Sequence, residues 1–293
     1  MLINCLQPIK RLQAFFYVLE LTMFSVCAIF YGDYPALALR LLNSLTESTN
    51  VADFRFGLNA VSQATKDHIH AWALQKMHKV PVYVYEEEAG ENLGKYPLMR
   101  AMFKDSYKLA DKIMWFDDDS YVDSQAGLPW WDSVLIVSKN KTQVGALHYI
   151  MQRNKQYEVI KQQDWYNNKV INEKHRFYFA TGGWWVADTD FILKWDYPFP
   201  ALYHNGGDSI LGELIRQQNG VLYHYSLGVK CHCEGCVKRH NPEQKAVVHI
   251  NVGGRAGRRG IGKSGERYIW SDGNPEPSLV HQNFNLRILR YAF

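Results

Sequence analysis

The chain has 293 residues, of which 47% are hydrophobic and 14% aromatic, so it can bury a large core and is not an intrinsically disordered protein. The formal net charge of +4 is mild, and basic clusters such as those over 139–176 and 255–267 occur both in phosphate or nucleic-acid contacts and on solvated surfaces. Five cysteines, with Cys231, Cys233 and Cys236 close together, argue against a secreted disulfide framework and indicate a reducing compartment.

Strand and helix signals alternate through the first half of the chain. Apolar runs and helical spacings predict four strands and three helices, which in chain order cover residues 23–31, 36–48, 54–61, 66–77, 80–85, 97–110 and 113–116. This alternation predicts an α/β, Rossmann-like fold with a mostly parallel central sheet and helices on both faces. The sequence has neither a GxGxxG nor a Walker motif, so a bound nucleotide would be held by side chains and a metal.

The second half of the chain is less regular. A helix is predicted to begin at 128–131 and a strand to cover 144–151, whereas the polar and aromatic stretch 152–172 is interpreted as a loop. An aromatic strand is predicted over 177–186, and a further helix is predicted to begin at Asp208.

Three consecutive carboxylates, Asp117, Asp118 and Asp119, follow an apolar strand. Like charges in a row repel one another, so a hydrophobic strand should not end in this way unless a cation lies nearby. Alternate side chains of an extended chain share a face, and we therefore expect Asp117 and Asp119 to point together. Carboxylates bind Mg²⁺ or Mn²⁺, and open α/β sheets bind ligands at the carboxyl ends of their strands. The run predicts a metal–diphosphate site, with a solvated acidic loop as the alternative.

The aromatic strand contains Gly182 and Gly183, followed by Trp184 and Trp185. Paired glycines inside a strand usually mark a close approach of the backbone to a ligand or another chain. The two tryptophans are candidates for stacking on an acceptor sugar, and packing of either ring in the core is the alternative.

Asp208 stands at the predicted start of a helix with an apolar face. As an N-cap it would contribute about 1 kcal/mol to stability. A carboxylate held at a helix start can also be catalytic, and one residue can do both. Transfer to a hydroxyl needs a base on the acceptor side and neutralisation of the charge on a leaving diphosphate, which Asp208 and the three aspartates could supply together.

Three motifs in a fixed order resemble those of one protein family. DDDSYV (117–122), FATGG (179–183) and DSILG (208–212), followed by a histidine, resemble the fringe-like and core-1-type β-1,3-glycosyltransferases, which have the GT-A fold. The likeness in order extends over roughly residues 23–250. It implies an inverting transfer of a sugar from a nucleotide-diphosphate donor, by preference UDP-linked, with Mn²⁺ or Mg²⁺ as cofactor.

The resemblance also implies roles for individual residues. Asp119 would bind the metal, with Asp117 as a further ligand. Asp117 and Asp118 would contact the sugar and ribose parts of the donor. Asp208 would be the general base for the acceptor hydroxyl.

The family has a histidine metal ligand after the base helix. His249 is the first candidate here because it ends an apolar run, and His224 is the second. Further donor contacts are expected from residues at strand ends, in the following helix and in the glycine pair, namely Tyr31, Asp33, Asn59, Lys95, Arg100, Gly182 and Gly183.

A Cys/His-rich insertion covers 231–240 and is not explained by the resemblance. Cys231, Cys233, Cys236 and His240 are candidates for a structural Zn²⁺ site, although known sites usually begin with a two-residue gap and here the first gap is a single residue. A turn with reduced thiols is the alternative.

We expect one GT-A-type domain over 1–293, with a donor-binding half over about 23–122 and an acceptor half over about 123–252. The basic, glycine-rich C-terminal segment 253–293 begins with a stretch that resembles a lid over a diphosphate; a nucleic-acid contact and a disordered tail are the alternatives. A membrane anchor at 12–31 is disfavoured by the polar residues inside it, and a cytoplasmic protein of bacterial or viral type is expected.

The acceptor is the least defined part of the function. A hydroxyl of a glycan or glycoconjugate is the default, and a hydroxymethylated base in DNA is an alternative, because aromatic residues are interleaved with the basic clusters. A zinc-bearing nucleic-acid-binding protein with a degenerate transferase fold is a hypothesis from a different class. The sequence contains no firm indication of a protein partner.

Overall fold

A computed structural model describes residues 22–87, 92–123, 127–151, 156–200, 202, 206–225, 227–231 and 286–292. The strands are β1 (Phe24–Tyr31), β2 (Val51–Asn59), β3 (Val82–Glu87), β4 (Lys112–Asp117), β5 (Ser120–Val122), β6 (Gln143–Met151), β7 (Arg176–Asp188), β8 (Leu222–His224), β9 (Val229–Cys231) and β10 (Leu286–Tyr291). The helices are α1 (Pro35–Leu45), α2 (Gln63–Lys76), α3 (Lys95–Phe103), α4 (Gly127–Ser138), α5 (Gln156–Lys161), α6 (Thr189–Lys194) and α7 (Gly207–Gln217).

Eight of these strands form one sheet in the order β10-β3-β2-β1-β4-β7-β6-β8. β3, β2, β1 and β4 are mutually parallel, whereas β7 runs antiparallel to both of its neighbours and β10 runs antiparallel to β3. β6 and β8 are parallel to each other and, because β7 lies between β6 and β4, run in the same direction as β1. β5 and β9 form a separate antiparallel pair. The predicted Rossmann-like α/β fold with a mostly parallel sheet is confirmed.

Helices pack against both faces of the sheet, as predicted. Leu41 and Leu42 of α1 pack with Trp72 of α2 in one buried cluster, which α4 also joins. Met99 of α3 and Leu211 of α7 belong to the cluster on the other face, together with residues of α5 and α6. All eight residues of β1 are buried, which explains why this strand reads as a continuous apolar run without alternation.

The largest difference from the predicted boundaries is at α3. The helix was expected to continue to residue 110, but it ends at Phe103. The reason is the buried guanidinium of Arg55, which donates hydrogen bonds to the carbonyls of Met102, Tyr107 and Lys108 at 2.7–3.2 Å. After Phe103 the chain wraps around this charge instead of extending the helix. The stretch 152–172, interpreted as a loop, contains the short helix α5.

The two ends of the chain are described only in part. Residues 12–21 of the candidate anchor lie outside the described residues, and 24–31 form β1 in the middle of the sheet. No helix in the described part of the chain has the length and hydrophobicity that a bilayer span requires. Of the segment 253–293, residues 286–291 form an edge strand, β10, paired with β3, whereas the glycine-rich stretch interpreted as a lid lies outside the described residues.

Candidate active site

The carboxyl ends of the parallel neighbours β1 and β4 lie side by side at one edge of the sheet, and the region outside them is called the crevice. β1 is followed along the chain by β2 on one side of it, whereas β4 pairs with its other side. Open α/β sheets bind ligands at such a switch point, where successive connections leave in opposite directions. The backbone N–H of Tyr31, at the end of β1, donates a hydrogen bond to Oδ2 of Asp118 at 3.0 Å. The aspartate run therefore lies at the position where this class of fold binds ligands.

The three aspartates do not continue the strand. β4 ends at Asp117, and Asp118 and Asp119 form a turn that leads into β5. We expected Asp117 and Asp119 to point together because alternate side chains of an extended chain share a face. That expectation is wrong in its premise, because the chain turns at Asp118 and Asp119. Asp118 and Asp119 are both 3% exposed, and Arg40 donates to the carbonyl of Asp119 at 3.1 Å. The turn thus brings two carboxylates into a mostly buried position beside the crevice.

Asp117 is bound by a lysine from the neighbouring helix. Nζ of Lys95, the first residue of α3, lies 2.8 and 3.0 Å from the two carboxylate oxygens of Asp117. The same ammonium donates to the carbonyl of Gly182 at 3.2 Å, and the indole N–H of Trp115 donates to Oδ1 of Asp117 at 2.9 Å. Lys95 therefore joins the end of β4 to the neighbouring strand β7, beside the crevice.

Asn59 holds the segment that positions Lys95. Its Oδ1 accepts from the N–H of Leu93 at 2.8 Å, and its amide donates to Oδ1 of Asn92 at 2.9 Å. Gly94 follows with a φ of 81°, a conformation that favours glycine and turns the chain into α3. Asn59 was predicted to contact the donor. It is 1% exposed and bonded to this segment instead, so that prediction is wrong.

The glycine pair lies in a bulge of β7. Gly145 and Leu147 of β6 are separated by one residue, whereas their partners Trp185 and Ala180 on β7 are separated by four. The additional residues include Gly182, whose backbone is brought against Lys95 and Asp208. A Cβ at position 182 would lie 2.6 Å from Oδ2 of Asp208 and 3.0 Å from Nζ of Lys95. Gly182 is therefore closely packed against two side chains of the candidate site, whereas the predicted approach of this backbone to a ligand stays a prediction.

Asp208 lies inside the first turn of α7 rather than at its N-cap. The N-cap is Gly206, with a φ of 82°, so the capping role considered for Asp208 is wrong. The hydroxyl of Tyr96 donates to Oδ1 of Asp208 at 3.3 Å. Burial raises the pKa of Asp208 above its ordinary value and the charge of Asp117 raises it further, whereas Lys95 and the bond from Tyr96 act in the opposite direction. A carboxylate with a raised pKa is a better base at neutral pH.

Several predicted site residues are brought together and others are not. Asp117, Lys95, Gly182 and Asp208 form one cluster. Tyr31 lies at its β1 side, where its hydroxyl accepts from Asn92 at 3.3 Å. Asp33 is exposed just after β1, and Gly183 directly follows Gly182 in the bulge.

The predicted acceptor tryptophans belong to the core. Trp184 and Trp185 are 4% and 1% exposed. Trp185 stacks on Trp115 at 6.0 Å between ring centroids, and Trp184 lies 5.7 Å from the ring of Trp130. Successive residues of a central strand point to opposite faces, and helices cover both faces here. The prediction that these rings stack on a sugar is wrong.

Arg100 binds the segment that follows α6 and not the aspartate run. Its guanidinium binds both carboxylate oxygens of Asp196 at 2.9–3.1 Å and donates to the carbonyl of Pro198 at 2.7 Å. It therefore fixes the segment after α6, and the predicted donor contact is wrong.

The second-choice histidine ligand, His224, is not near the aspartates. It lies on β8, three strand positions from β4, which corresponds to about 14 Å in the hydrogen-bonding direction. Its Nδ1 accepts a hydrogen bond from the N–H of Leu147 at 3.1 Å. His249, Cys233, Cys236 and His240, as well as the side chain of Cys231, lie outside the described residues. Among the residues that are described, no three His, Cys, Asp or Glu side chains are grouped as metal ligands.

Sequence reasoning missed Tyr96. It is 2% exposed, and its ring fills the space where a side chain at Gly207 would lie, with ring atoms 2.4–2.6 Å from that Cβ position. A tyrosine in the first turn of a helix carries no signal of its own. Only the packing of α3 against the start of α7 identifies it.

The fold and the crevice define a Rossmann-like α/β protein with an acidic, lysine-bridged site at the switch point of its sheet. No family model and no curated protein matches the chain. Among the solved structures that resemble it is the mannosyltransferase PcManGT from Pyrobaculum calidifontis in complex with GDP-Man and Mn²⁺, at 11% identity and a TM-score of 0.48. The match covers 70% of this chain and 55% of that chain, so the chain spans about half the length of this neighbour. Likeness at this level assigns neither a family nor a function.

Proposed function

We propose that the chain is a metal-dependent, inverting glycosyltransferase of the GT-A type, which moves a sugar from a nucleotide-diphosphate donor to an acceptor hydroxyl. One observation carries this proposal. A carboxylate with a raised pKa, Asp208, lies beside Lys95 and Asp117 in the ligand-binding crevice of an α/β sheet. The cluster combines a base with groups suited to a phosphate-bearing leaving group. The motif order, which resembles that of UDP-dependent enzymes, supports UDP as the nucleotide.

The residues of the 117–119 run fit a divalent metal. Mg²⁺ is usually bound through one or two carboxylates, with substrate phosphates and water completing its shell, so a protein cluster of three ligands is not required. Asp118 and Asp119 supply oxygen ligands in a mostly buried turn, and we propose Asp119 as the main ligand. The bound metal would neutralise the charge that develops on the leaving diphosphate. Lys95, 13% exposed in its side chain, would add a positive charge on the same side of the crevice.

Asp208 would act on the acceptor side. The acceptor oxygen forms a bond to the anomeric carbon while the bond from that carbon to the donor phosphate breaks, and its electron pair leaves with the nucleoside diphosphate. The acceptor proton passes to a carboxylate oxygen of Asp208. One displacement inverts the configuration and needs no second carboxylate as a nucleophile.

The proposed acceptor surface is a two-stranded antiparallel arm, which consists of residues 147–151 of β6 and 176–180 of β7. β7 pairs with β4 only over 184–188, so the arm continues past the carboxyl end of β4 on the side of the crevice. Cross-strand partners share a face, which places Tyr149, Tyr178 and Arg176 together; Tyr149 is 41% exposed and the Arg176 guanidinium lies 4.7 Å from its ring. An exposed tyrosine, with a half-buried tyrosine and an arginine beside it, suits a glycan acceptor. They replace the buried tryptophans in this role.

Donor hydrolysis tests the proposed function. With a panel of nucleotide sugars and Mn²⁺, the protein should release free nucleotide from one donor, and EDTA should stop the release. Asp119→Asn is expected to lower the rate about 100-fold or more, because a catalytic metal is worth several kcal/mol. Asp190→Asn is the matched control, since this exposed carboxylate lies near Asp188, which pairs with the opposite end of β4. Absence of both nucleotide release and donor binding, by calorimetry, across the panel would overturn the proposal.

Gly182→Ala is expected to impair activity much more than stability. The three atoms nearest to the added Cβ belong to the side chains of Asp208 and Lys95, so we expect these side chains rather than the backbone to shift. Displacing reacting groups by about 1 Å costs on the order of 100-fold in rate, whereas the fold should unfold within a few degrees of the wild-type Tm. Turnover and thermal unfolding measured on the same preparation check this.

Gly212→Ala is the contrasting variant. A Cβ there would lie 2.2 Å from the carbonyl oxygen of Tyr178 and 2.8 Å from Cα of Phe179, which are backbone atoms. This substitution should therefore lower the Tm strongly. If Gly182→Ala lowered the Tm as much as Gly212→Ala does, the loss of activity would reflect unfolding and the assignment of Gly182 to the site would be wrong.

A further inference from the structure

One buried hydroxyl in the site has no role in the reaction described above. Tyr96 is 2% exposed and follows directly after Lys95 in the first turn of α3. Its hydroxyl lies 3.3 Å from Oδ1 of Asp208. Gly207, the residue before Asp208, leaves room for the ring, because any side chain there would overlap it. Both helices therefore contribute to the contact: α3 supplies the tyrosine, and α7 supplies the aspartate and the glycine that makes room for the ring.

We infer that Tyr96 is a positioning residue, which orients Asp208 by donating to Oδ1 and leaves Oδ2 as the oxygen that receives the acceptor proton. The inference rests on the proposed function. It goes beyond it by assigning different roles to the two oxygens of the base.

The surroundings of the carboxylate support this division. Oδ2 lies on the side of Gly182, 2.6 Å from the position that a β-carbon of that residue would take. Gly182 also accepts a hydrogen bond from Lys95 through its carbonyl, so Oδ2 is the oxygen next to the Lys95–Asp117 pair. Oδ1 lies instead against the buried Tyr96. A proton arriving from the crevice therefore meets Oδ2 first.

The hydroxyl of Tyr96 is suited to remain a hydrogen-bond donor to Asp208. Burial raises its pKa well above the ordinary value, and the charge of Asp208 raises it further. The phenol thus keeps its proton over the working pH range and can only donate to the carboxylate. Lys95 and the hydrogen bond from Tyr96 both lower the pKa of Asp208, whereas the charge of Asp117 raises it, so loss of the phenol would remove one of the two contributions that favour the carboxylate.

Tyr96→Phe tests the inference with the loss of a single oxygen atom. We expect kcat to fall about 10-fold or more, because a hydrogen bond to a charged group is removed, while KM for the donor stays unchanged. The acidic limb of the kcat–pH profile should move to higher pH, since this bond favours the ionised form of Asp208. A carboxyl titration followed by NMR on ¹³C-labelled aspartate should show the same shift without substrate.

Tyr85→Phe is the matched control. Tyr85 is a second fully buried tyrosine, and its hydroxyl donates to Oδ2 of Asp105 at 2.5 Å instead of to Asp208. This variant should keep the acidic limb in place. The inference alone would be overturned if the wild type were active and Tyr96→Phe changed neither kcat, nor the acidic limb of the kcat–pH profile, nor the NMR titration of the carboxyl. A wild type without turnover on any donor would overturn the proposed function as well.

Discussion

Replacing Asp208 by asparagine is expected to lower turnover by about 10²–10⁴-fold, the usual contribution of a general base. Asparagine has nearly the same shape but cannot take the acceptor proton. The donor side of the crevice, with Lys95 bound to Asp117, is left intact. Donor affinity measured by calorimetry should therefore change little. Loss of donor binding in parallel with turnover would contradict the role of Asp208 as the acceptor-side base.

The same variant should be at least as stable as the wild type at neutral pH. Because the pKa of Asp208 is raised in the folded state, the unfolded chain gives up this proton at a lower pH, and stability falls as the pH rises from about 4 through the folded pKa. Above that window the ionised side chain opposes folding. Asp208→Asn removes this penalty, so its Tm should exceed that of the wild type at pH 7, and the difference should shrink at pH 4.

The opposite change in Tm would mean that Asp208 stabilises the fold. A Tm that falls on substitution at pH 7, as it does for an aspartate stabilised by its partners, would mean that the ionised carboxylate supports the fold. The catalytic assignment then loses its electrostatic basis. Asp190→Asn, an exposed substitution in α6, provides the baseline for both measurements.

Arg55→Met is expected to have the largest effect on stability, about 3–5 kcal/mol of the free energy of unfolding. Arg55 is completely buried in β2, and its Nε and Nη2 lie 3.1 and 2.9 Å from Oδ2 of Asp53. The guanidinium also donates to the carbonyl of Met102 in the last turn of α3 and to those of Tyr107 and Lys108 after it. Removing it leaves a buried carboxylate and these carbonyls without a donor. Urea denaturation followed by circular dichroism measures the loss.

The double variant Asp53→Leu with Arg55→Met separates charge from packing. Replacing a buried ion pair by apolar residues is often neutral or stabilising, so the double variant should recover part of the loss in Arg55→Met. Lys174→Met, an exposed substitution before β7, should change the free energy of unfolding by less than about 0.5 kcal/mol. If Arg55→Met matched this control, the ion pair would have no structural role.

The strands and helices around the crevice were predictable because they are local patterns. β1 and β4 are runs of consecutive apolar residues, and α1 has leucines at helical spacing, which a single sequence displays directly. Boundaries were less predictable. The end of α3 depends on Arg55, a residue about fifty positions earlier in the chain, and no local signal near Phe103 reports its burial. β10, at the far edge of the sheet, was missed because its partner β3 is distant in sequence.

The residues of the candidate site were likewise predictable only in part. Residue types alone indicated Asp117 and Gly182, because adjacent carboxylates and paired glycines are unfavourable in a strand unless something compensates for them. Asp208 was indicated by its place at a predicted helix start and by the resemblance of the motif order. What the sequence by itself determined is therefore the alternating α/β order and the chemistry available at the strand ends. Only the tertiary structure decided how that chemistry is distributed. It buried Trp184 and Trp185, bound Lys95 to Asp117 and set Tyr96 against Asp208, because each of these contacts joins elements that meet only when the sheet and its helices pack.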